Sequence, residues 1–215
     1  AMDVDETNFV ASATNVAAEF QSSSVVPEID AYRYSKVAAY AETDNVTTYT
    51  PDPKTLFGVL KNDIAAVQDI VGENTPLVCS INMKVKSQLE QLDKFNKNIE
   101  VTSFTKGTLN TKVKAIDNCR LIPVPSARMW DSYTFRDGKA EDEKEGGFVK
   151  GTTAKLMNWI ILPQSIVIAV TKQDNMKIID PATYQKADAW FIAYRRYHDV
   201  WVKANKREQI RVSRQ

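Results

Sequence analysis

The sequence has few of the side chains that most often perform catalysis or bind metal. Its 215 residues include one histidine, His198, and two cysteines, Cys79 and Cys119, which lie far apart in the chain. Structural zinc sites need four closely organised ligands, and disulfide-stapled domains are rich in cysteine. The composition therefore argues against a zinc site and a disulfide framework, and it fits a reducing cytosol.

Glycine and long apolar runs are also scarce. None of the seven glycines belongs to a phosphate-binding loop of the P-loop or dinucleotide type. No apolar run approaches the roughly 20 residues of a membrane-spanning helix, and residues 1–9 lack the pattern of a signal peptide. The formal charge of +1 creates no overall field that would attract nucleic acid or an anionic membrane.

The first forty residues predict a long, bent, amphipathic helix. Asp3 and Glu6 have the spacing of a capping box. Pro27 cannot donate a helical hydrogen bond, so we expect the helix to stop or kink near residues 24–26 and to resume over 28–41. The apolar stripe that we expect in the core consists of Phe9, Ala13, Val16, Ala17 and Phe20.

The middle of the chain predicts helices and strands in alternation, which favours α/β layer packing. The expected elements are a linker over 43–50, a helix opened by Asp52-Pro53 and stopped by Gly72, a buried strand over 76–81, a helix capped by Asn82 and a strand over 99–104. The apolar face of the first of these helices consists of Leu56, Val59, Leu60, Ile64, Val67 and Val71.

The second half of the chain is rich in residues that favour strands. The expected strands cover 112–116, 121–124, 159–162, 166–171 and 190–202. Asp117-Asn118 is a turn signal between the first two. We expect residues 210–212 to return against the strand 190–202 as a closing hairpin, and residues 141–147 to be the most mobile internal segment.

The residues that could carry chemistry do not form a catalytic pattern. His198 precedes Asp199, but neighbouring residues of a strand point to opposite faces, so a structural role is favoured. Cys79 lies in an apolar strand, which is typical of an inert buried thiol. Gly146-Gly147 follows a run of charges and indicates a loop. We therefore expect no catalytic residue, no metal ligand, no cofactor-binding residue and no cofactor.

Two other features have alternative interpretations. The basic C-terminal end could contact DNA phosphates, although a solvated hairpin is favoured; its cations are Lys203, Lys206, Arg207, Arg211 and Arg214. The aromatic strand is explained mainly by core packing, but residues of a strand point both ways, so some rings must face outward or meet a partner chain. Its rings are Trp190, Phe191, Tyr194, Tyr197 and Trp201.

Four segments, in this order, resemble the major capsid proteins of tailed bacteriophages, particularly those of prophages in Gram-positive bacteria. They are VPEIDAYRY (26–34), IPVPSARM (122–129), NWIILP (158–163) with SIV (165–167), and DAW (188–190) with YRRYHD (194–199). The resemblance covers most of residues 3–212 and is weakest between 50 and 109. No segment is a catalytic motif.

The resemblance implies an α+β fold, the tailed-phage major capsid fold. Residues 3–50 and 185–215 would form a peripheral domain with the spine helix (residues 3–40) and long strands, and residues 51–184 an axial domain of helices around a central sheet. The implied function is structural and not enzymatic: self-assembly into an icosahedral shell, through pentamers and hexamers. Scaffolding and portal proteins are further possible partners, packaged DNA would be contacted only non-specifically, and no membrane is involved. The protein would be synthesised in the bacterial cytoplasm and reside in the virion capsid.

The members of this family carry an N-terminal arm and an extended β-hairpin loop before the spine helix, whereas this sequence begins almost at the helix. Ala1-Met2 resembles a cloning scar or a cleavage remnant. We therefore expect an N-terminally truncated chain that is monomeric or weakly oligomeric in dilute solution.

Three alternatives stay open. An encapsulin-like compartment would share the fold but package enzymes. A carboxylate-based small-molecule hydrolase would need two carboxylates within about 10 Å in one deep cleft, as glycoside hydrolysis does. A DNA-binding module is disfavoured by the near-zero net charge.

Overall fold

The computed structural model describes residues 9–97, 100–106, 109–179, 182–183 and 191–215. It is an α+β structure with a mixed sheet. The helices are α1 (Phe9–Phe20), α2 (Val26–Ala39), α3 (Leu56–Val71), α4 (Met83–Glu90) and α5 (Asp93–Lys97). The strands are β1 (Val46–Thr48), β2 (Leu77–Asn82), β3 (Glu100–Lys106), β4 (Leu109–Ile116), β5 (Cys119–Val124), β6 (Tyr133–Phe135), β7 (Phe148–Lys150), β8 (Met157–Pro163), β9 (Val167–Ile179), β10 (Phe191–Val202) and β11 (Arg211–Arg214).

One long helix begins the described chain. It consists of α1, a π-helical turn over Gln21–Val25, and α2, which follow one another without a break. At about 1.5 Å per residue the three segments together are roughly 45 Å long. We call this element, residues 9–39, the long helix. The helix predicted from sequence is thus present over its described part, whereas Asp3 and Glu6 lie outside the described residues.

Pro27 distorts the long helix without ending it. Because proline has no backbone N–H, the carbonyl one turn before it loses its usual donor. The chain widens into the π-helical turn, in which the Val26 N–H donates to the Gln21 carbonyl oxygen. Side chains add donors there, since the hydroxyls of Ser22 and Ser23 donate to the Glu19 carbonyl oxygen at 3.0 and 2.7 Å. The helix therefore does not stop near residues 24–26, and the irregularity there is the π-helical turn.

The central sheet has seven strands in the order β1-β11-β8-β2-β5-β4-β3. The pairs β1–β11 and β2–β5 are parallel, and the other neighbours are antiparallel. Strands β9 and β10 form a separate two-stranded antiparallel sheet, which we call the ribbon, and β6 pairs with β7 in a third.

Strand β8 separates two hydrophobic cores. All seven of its residues are buried. Trp159 and Ile161 point into a first core with α3, α4 and α5, while Ile160 and Leu162 point into a second core with α2, β10 and β11. This alternation follows from the two-residue period of a strand. The apolar run at residues 159–162 therefore serves both sides of the sheet.

A buried polar cluster joins α3 to β8 and β11. Asp63 is 4% exposed. Its carboxylate accepts hydrogen bonds from Trp159 Nε1 at 2.9 Å and from Arg211 Nε at 3.0 Å, and Arg211 also donates to the Asn45 side chain at 3.3 Å. One carboxylate on α3 thus accepts hydrogen bonds from donors on both β8 and β11.

Local signals in the sequence located several elements correctly. The predicted apolar face of α3 lies in or against the first core, and Gly72 ends the helix at a positive φ of 86°. The side chain of Asn82 caps α4 by accepting from the Lys84 N–H at 3.0 Å. Asp117 and Asn118 form the predicted turn between β4 and β5, both at positive φ.

Three expectations from sequence are corrected. Residues 43–50 are not only a linker, because β1 pairs in parallel with β11. Helix α3 starts at Leu56, since the backbone N–H groups of Thr55 and Leu56 first bond the Asp52 carbonyl oxygen in a turn. The closing hairpin is wrong: β10 pairs with β9, and a 3-10 segment over Ala204–Gln209 redirects the chain so that β11 enters the central sheet.

The two-part division of the chain stays a prediction. The buried members of the first core all lie within residues 51–184, whereas the second core also draws on α2, β10 and β11. Strand β9 pairs along its length with β10, so the ribbon combines residues from both expected segments.

We predict that Asp63→Ala lowers the free energy of unfolding by about 3–5 kcal/mol, because Arg211 would lose its buried counter-charge and Trp159 its acceptor. The matched control is Asp69→Ala, which changes an exposed carboxylate on the same helix and should cost less than about 0.5 kcal/mol. Urea unfolding of the three proteins measures the difference. Equal stabilities of the two variants would contradict this role of Asp63.

Candidate functional site

Exposed apolar side chains concentrate on the long helix and the ribbon. Among the described residues, nine of the 12 exposed large hydrophobic side chains lie on these two elements. They are Val16, Phe20 and Val26 on the long helix, and Ile168, Val170, Ile178, Phe191, Tyr197 and Trp201 on the ribbon. Monomeric soluble proteins rarely expose many large apolar side chains close together, so the long helix and the ribbon form the candidate functional surface.

The ribbon has one covered face and one apolar face in solvent. Val200 and Val202 are buried in the second core. On the opposite face, Trp201 lies directly across from Ile168, and these side chains are 44% and 42% exposed. Val170, two residues from Ile168 on β9, extends this patch, which we call the outer ribbon face. Tyr197, at 53%, is the most exposed ring of β10. The prediction that some rings of β10 face outward is confirmed.

The ribbon follows the long helix for most of its length. The Tyr32 ring packs edge-on against His198, with ring centroids 5.3 Å apart, and Phe20 packs similarly against Tyr194 at 6.4 Å. Ile29, Ala31, Val37 and Ala38 of α2 are buried, as is Ala17 of α1, whereas Val16 and Phe20 are 42% and 48% exposed. The expected core stripe is therefore confirmed at Ala17 and wrong at Val16 and Phe20, and the side chains of Phe9 and Ala13 lie outside the described residues.

A polar seam clamps the ribbon to α2. The Asp199 carboxylate accepts from the Lys36 ammonium, from the Tyr32 hydroxyl at 2.9 Å and from the Val200 backbone N–H at 2.7 Å. These donors, the Lys36 ammonium first, lower the pKa of Asp199 from 3.8 to about 2. The pKa of Lys36 rises correspondingly, mainly through its bond to Asp199. Sequence reasoning missed this seam, although Tyr32 and Lys36 have the i,i+4 spacing of one helix face.

His198 and Asp199 contact α2 through different groups, since His198 packs on the Tyr32 ring and Asp199 binds Lys36 and the Tyr32 hydroxyl. The Asp199 carboxylate is engaged by Lys36 and Tyr32 and does not orient the imidazole. Burial, followed by the charges of Arg33 and Arg196, lowers the pKa of His198. An imidazole packed on a tyrosine ring fits the predicted structural role.

The two cysteines lie together in the first core, which their distance in sequence did not indicate. Both are free and fully buried, on the neighbouring parallel strands β2 and β5. Burial, with a contribution from the adjacent Cys119, raises the pKa of Cys79 well above its ordinary value. Protonated thiols in an apolar core are poor nucleophiles and poor metal ligands.

Most of the basic C-terminal end is engaged within the chain. Arg211 pairs with Asp63, Arg214 with Asp131, and the Arg207 guanidinium lies 4.8 Å from the centre of the Tyr40 ring. Of the five cations at this end, only Lys203 and Lys206 are exposed. The arrangement offers little continuous positive surface for a DNA backbone.

The described residues include no group of three or more histidine, cysteine or acidic side chains placed to hold a metal ion. Nor does any helix in the ranges covered by the structure have the length and apolarity needed to cross a membrane. A cavity of about 500 Å³ beside the π-helical turn is lined by two carboxylates, Glu28 and Glu145, together with Arg136 and Phe148. Burial raises the pKa of Glu28, while Glu145 is exposed on its loop.

Comparisons with protein-family models, curated proteins and solved structures found no match for this chain. The resemblance to tailed-phage capsid proteins therefore has no independent support from those comparisons.

We predict that Phe20→Ala lowers the free energy of unfolding by less than about 1 kcal/mol, because the ring is half exposed. Leu60→Ala, at a fully buried position of α3, is the contrast and should cost about 2–5 kcal/mol. Urea titrations of both variants provide the test. A large loss for Phe20→Ala would mean that α1 belongs to the core of the monomer.

We predict that the seam loses its stabilising effect between about pH 4 and pH 2. The folded pKa of Asp199, about 2, lies below its ordinary value of 3.8. The stabilisation is therefore complete above the ordinary value and disappears as pH falls through the folded pKa. Unfolding free energies of the wild type and Asp199→Asn, measured from pH 5 to pH 2, should converge as pH falls. A constant difference between them would be the contrary result.

Proposed function

We propose that the chain is a structural protein that assembles with copies of itself into the icosahedral shell of a tailed phage or prophage, as its major capsid protein. The observation that carries this proposal is the outer ribbon face, an apolar patch on a ribbon that is itself clamped to the long helix. An isolated ribbon is marginally stable in water, and exposed apolar area of this kind is typical of contact surfaces.

The architecture agrees with what the sequence resemblance implies. A spine helix was expected over residues 3–40, and the long helix occupies residues 9–39. Long strands were expected within residues 185–215, where β10 has 12 residues, although its partner β9 belongs to the segment 51–184. Helices around a central sheet were expected for residues 51–184, where α3, α4 and α5 pack on a sheet that also takes in β1 and β11 from outside that segment. These agreements support the proposal at the level of shape.

The chemistry of the chain also favours an assembly role over catalysis. The single histidine is packed on a ring, both thiols are buried in an apolar core, and Asp63 is neutralised by Arg211. These reactive side chains are thus engaged in packing and in an ion pair. Instead, the long helix and the ribbon expose apolar area, which neighbouring copies can cover.

An encapsulin-like compartment is the closest alternative, because it would use the same surfaces to enclose enzymes. Assembled particles distinguish the two by content. Packaged DNA in particles from phage-producing cells supports the capsid, and an enclosed enzyme supports the compartment.

A hydrolase is favoured by one observation, the cavity that Glu28 and Glu145 line together. Glycoside hydrolysis needs two carboxylates in one cleft, one acting as acid and the other as base or nucleophile. Glycosidase substrates tested with the wild type and Glu28→Gln address this alternative. Hydrolysis that disappears in the variant would support it, and no hydrolysis by the wild type would exclude it for those substrates.

We predict that Ile168→Ser combined with Trp201→Ser weakens self-association at least tenfold, because it removes two paired apolar side chains from the outer ribbon face. Ile70→Ser is the matched control, since Ile70 is 46% exposed but lies on α3. Sedimentation velocity up to high protein concentration, with electron microscopy of assemblies, measures the effect. Unfolding free energies verify that each variant is folded. Self-association of the double variant as strong as that of the wild type would contradict the role of the outer ribbon face in assembly.

A further inference from the structure

The ribbon has two edges, and the polar seam occupies one of them. The Val200 backbone N–H donates to the Asp199 carboxylate at 2.7 Å, and this carboxylate also binds Lys36 and Tyr32 of α2. The Val200 N–H is therefore not part of the ladder with β9, and it points to the opposite side of β10. That edge of the ribbon is closed within the chain.

The other edge of the ribbon, on β9, is open. Ala169 lies directly across from Val200, and opposed residues of an antiparallel pair either exchange both backbone hydrogen bonds or exchange neither. Because the Val200 N–H binds Asp199, Ala169 also directs its N–H and carbonyl away from the partner strand. Val167 and Thr171, two positions away on either side, repeat this orientation. Within the part of the chain that the structure describes, β9 forms no backbone hydrogen bond outside its ladder with β10.

The first five residues of β9 lack the devices that protect natural sheet edges. Such edges usually carry charges, prolines or bulges that prevent pairing with another chain. The segment VIAVT, residues 167–171, contains no charged residue, glycine or proline. It is limited on one side by a 3-10 turn over Gln164–Ile166 and on the other by Lys172, where the ladder with β10 shifts register in a bulge. We call residues 167–171 the open edge.

The open edge is complementary to a second copy of itself. Antiparallel pairing about Ala169 is the register that aligns all five residues of both segments. It opposes Ala169 to Ala169 and Val167 to Thr171, whose N–H and carbonyl groups face outward, so roughly six backbone hydrogen bonds form. It also opposes Ile168 to Val170 of the second copy, in a pair without hydrogen bonds, where side chains approach most closely. These two side chains are 42% and 39% exposed on the outer ribbon face.

We propose that the open edge of one copy pairs with the open edge of a second copy, so that two ribbons become one four-stranded antiparallel sheet. The contact is isologous, about a two-fold axis at Ala169. The outer ribbon faces of the two copies then form one continuous apolar surface, and each two-stranded ribbon gains the stability of a larger sheet. The inference rests on the proposed function, since it names the contact by which one copy recognises another.

Proline at the centre of the open edge tests the backbone pairing. Ala169→Pro removes an outward N–H but no hydrogen bond of the ladder with β10, which is a setting in which strands tolerate proline. Self-association, measured by sedimentation velocity, should weaken about tenfold or more, because the opposed carbonyl is left without a donor. The matched control, Ala169→Val, keeps the N–H and should associate as the wild type does. Neither variant alters Ile168, Val170 or Trp201, so the apolar side chains of the outer ribbon face stay in place.

Engineered cysteines test the register, in a chain whose own two cysteines are buried. Ile168→Cys and Val170→Cys are prepared separately and mixed in a glutathione redox buffer, in which glutathione disulfide accepts the two electrons of the thiols. The mixture should form a disulfide between copies, because opposed residues of such a pair have Cα atoms about 4.5 Å apart. Each variant alone should crosslink about tenfold less, since identical positions are offset by two residues in this register. Gel electrophoresis without reductant measures the dimer.

The results that would overturn the inference are defined for both experiments. They are undiminished association of Ala169→Pro, an equal loss in Ala169→Val, no crosslink in the mixture, or crosslinks of each cysteine variant alone as efficient as those of the mixture. Circular dichroism verifies that Ala169→Pro is folded, and the cysteine register decides by itself where it is not.

The same experiments separate the open edge from the shell. Particles that assemble normally from Ala169→Pro would uphold the proposed function and overturn the edge contact. Register-specific dimers of a chain that never forms particles would uphold the edge contact and contradict the shell.

Discussion

The burial of β8 on both faces is the constraint on which the rest of the structure depends. Because side chains alternate along a strand, its seven buried residues have to fill two cores at once. Asp63 then fixes α3 against this strand, by accepting from Trp159 Nε1 and from Arg211 of β11. A shift of β8 by one residue would exchange the two cores and separate Trp159 from Asp63, so the register of the central sheet and the position of α3 are determined together.

The second core accounts for the surface that the chain exposes. It anchors the C-terminal half of the long helix and the Val200–Val202 end of the ribbon. At this anchor, Trp201 and Ile168 stay exposed because they lie on the face of the ribbon opposite to the core. Beyond it, Phe20 packs edge-on against Tyr194 and remains 48% exposed, because the second core does not extend that far along the helix. A second copy of the chain is the proposed cover.

By itself, the sequence determined the features that depend on nearby residues. The apolar face of α3, its stop at Gly72, the Asn82 cap, the distortion at Pro27 and the Asp117-Asn118 turn follow from helical periodicity and from hydrogen bonds within a few positions. Only the tertiary structure decided that β10 pairs with β9, that β11 enters the central sheet beside β1, and that Asp199 meets Lys36 and Tyr32. The sequence alone does not show which apolar strand segment pairs with which. The choice among them depends on which arrangement buries both faces of β8, and that is a property of the whole chain.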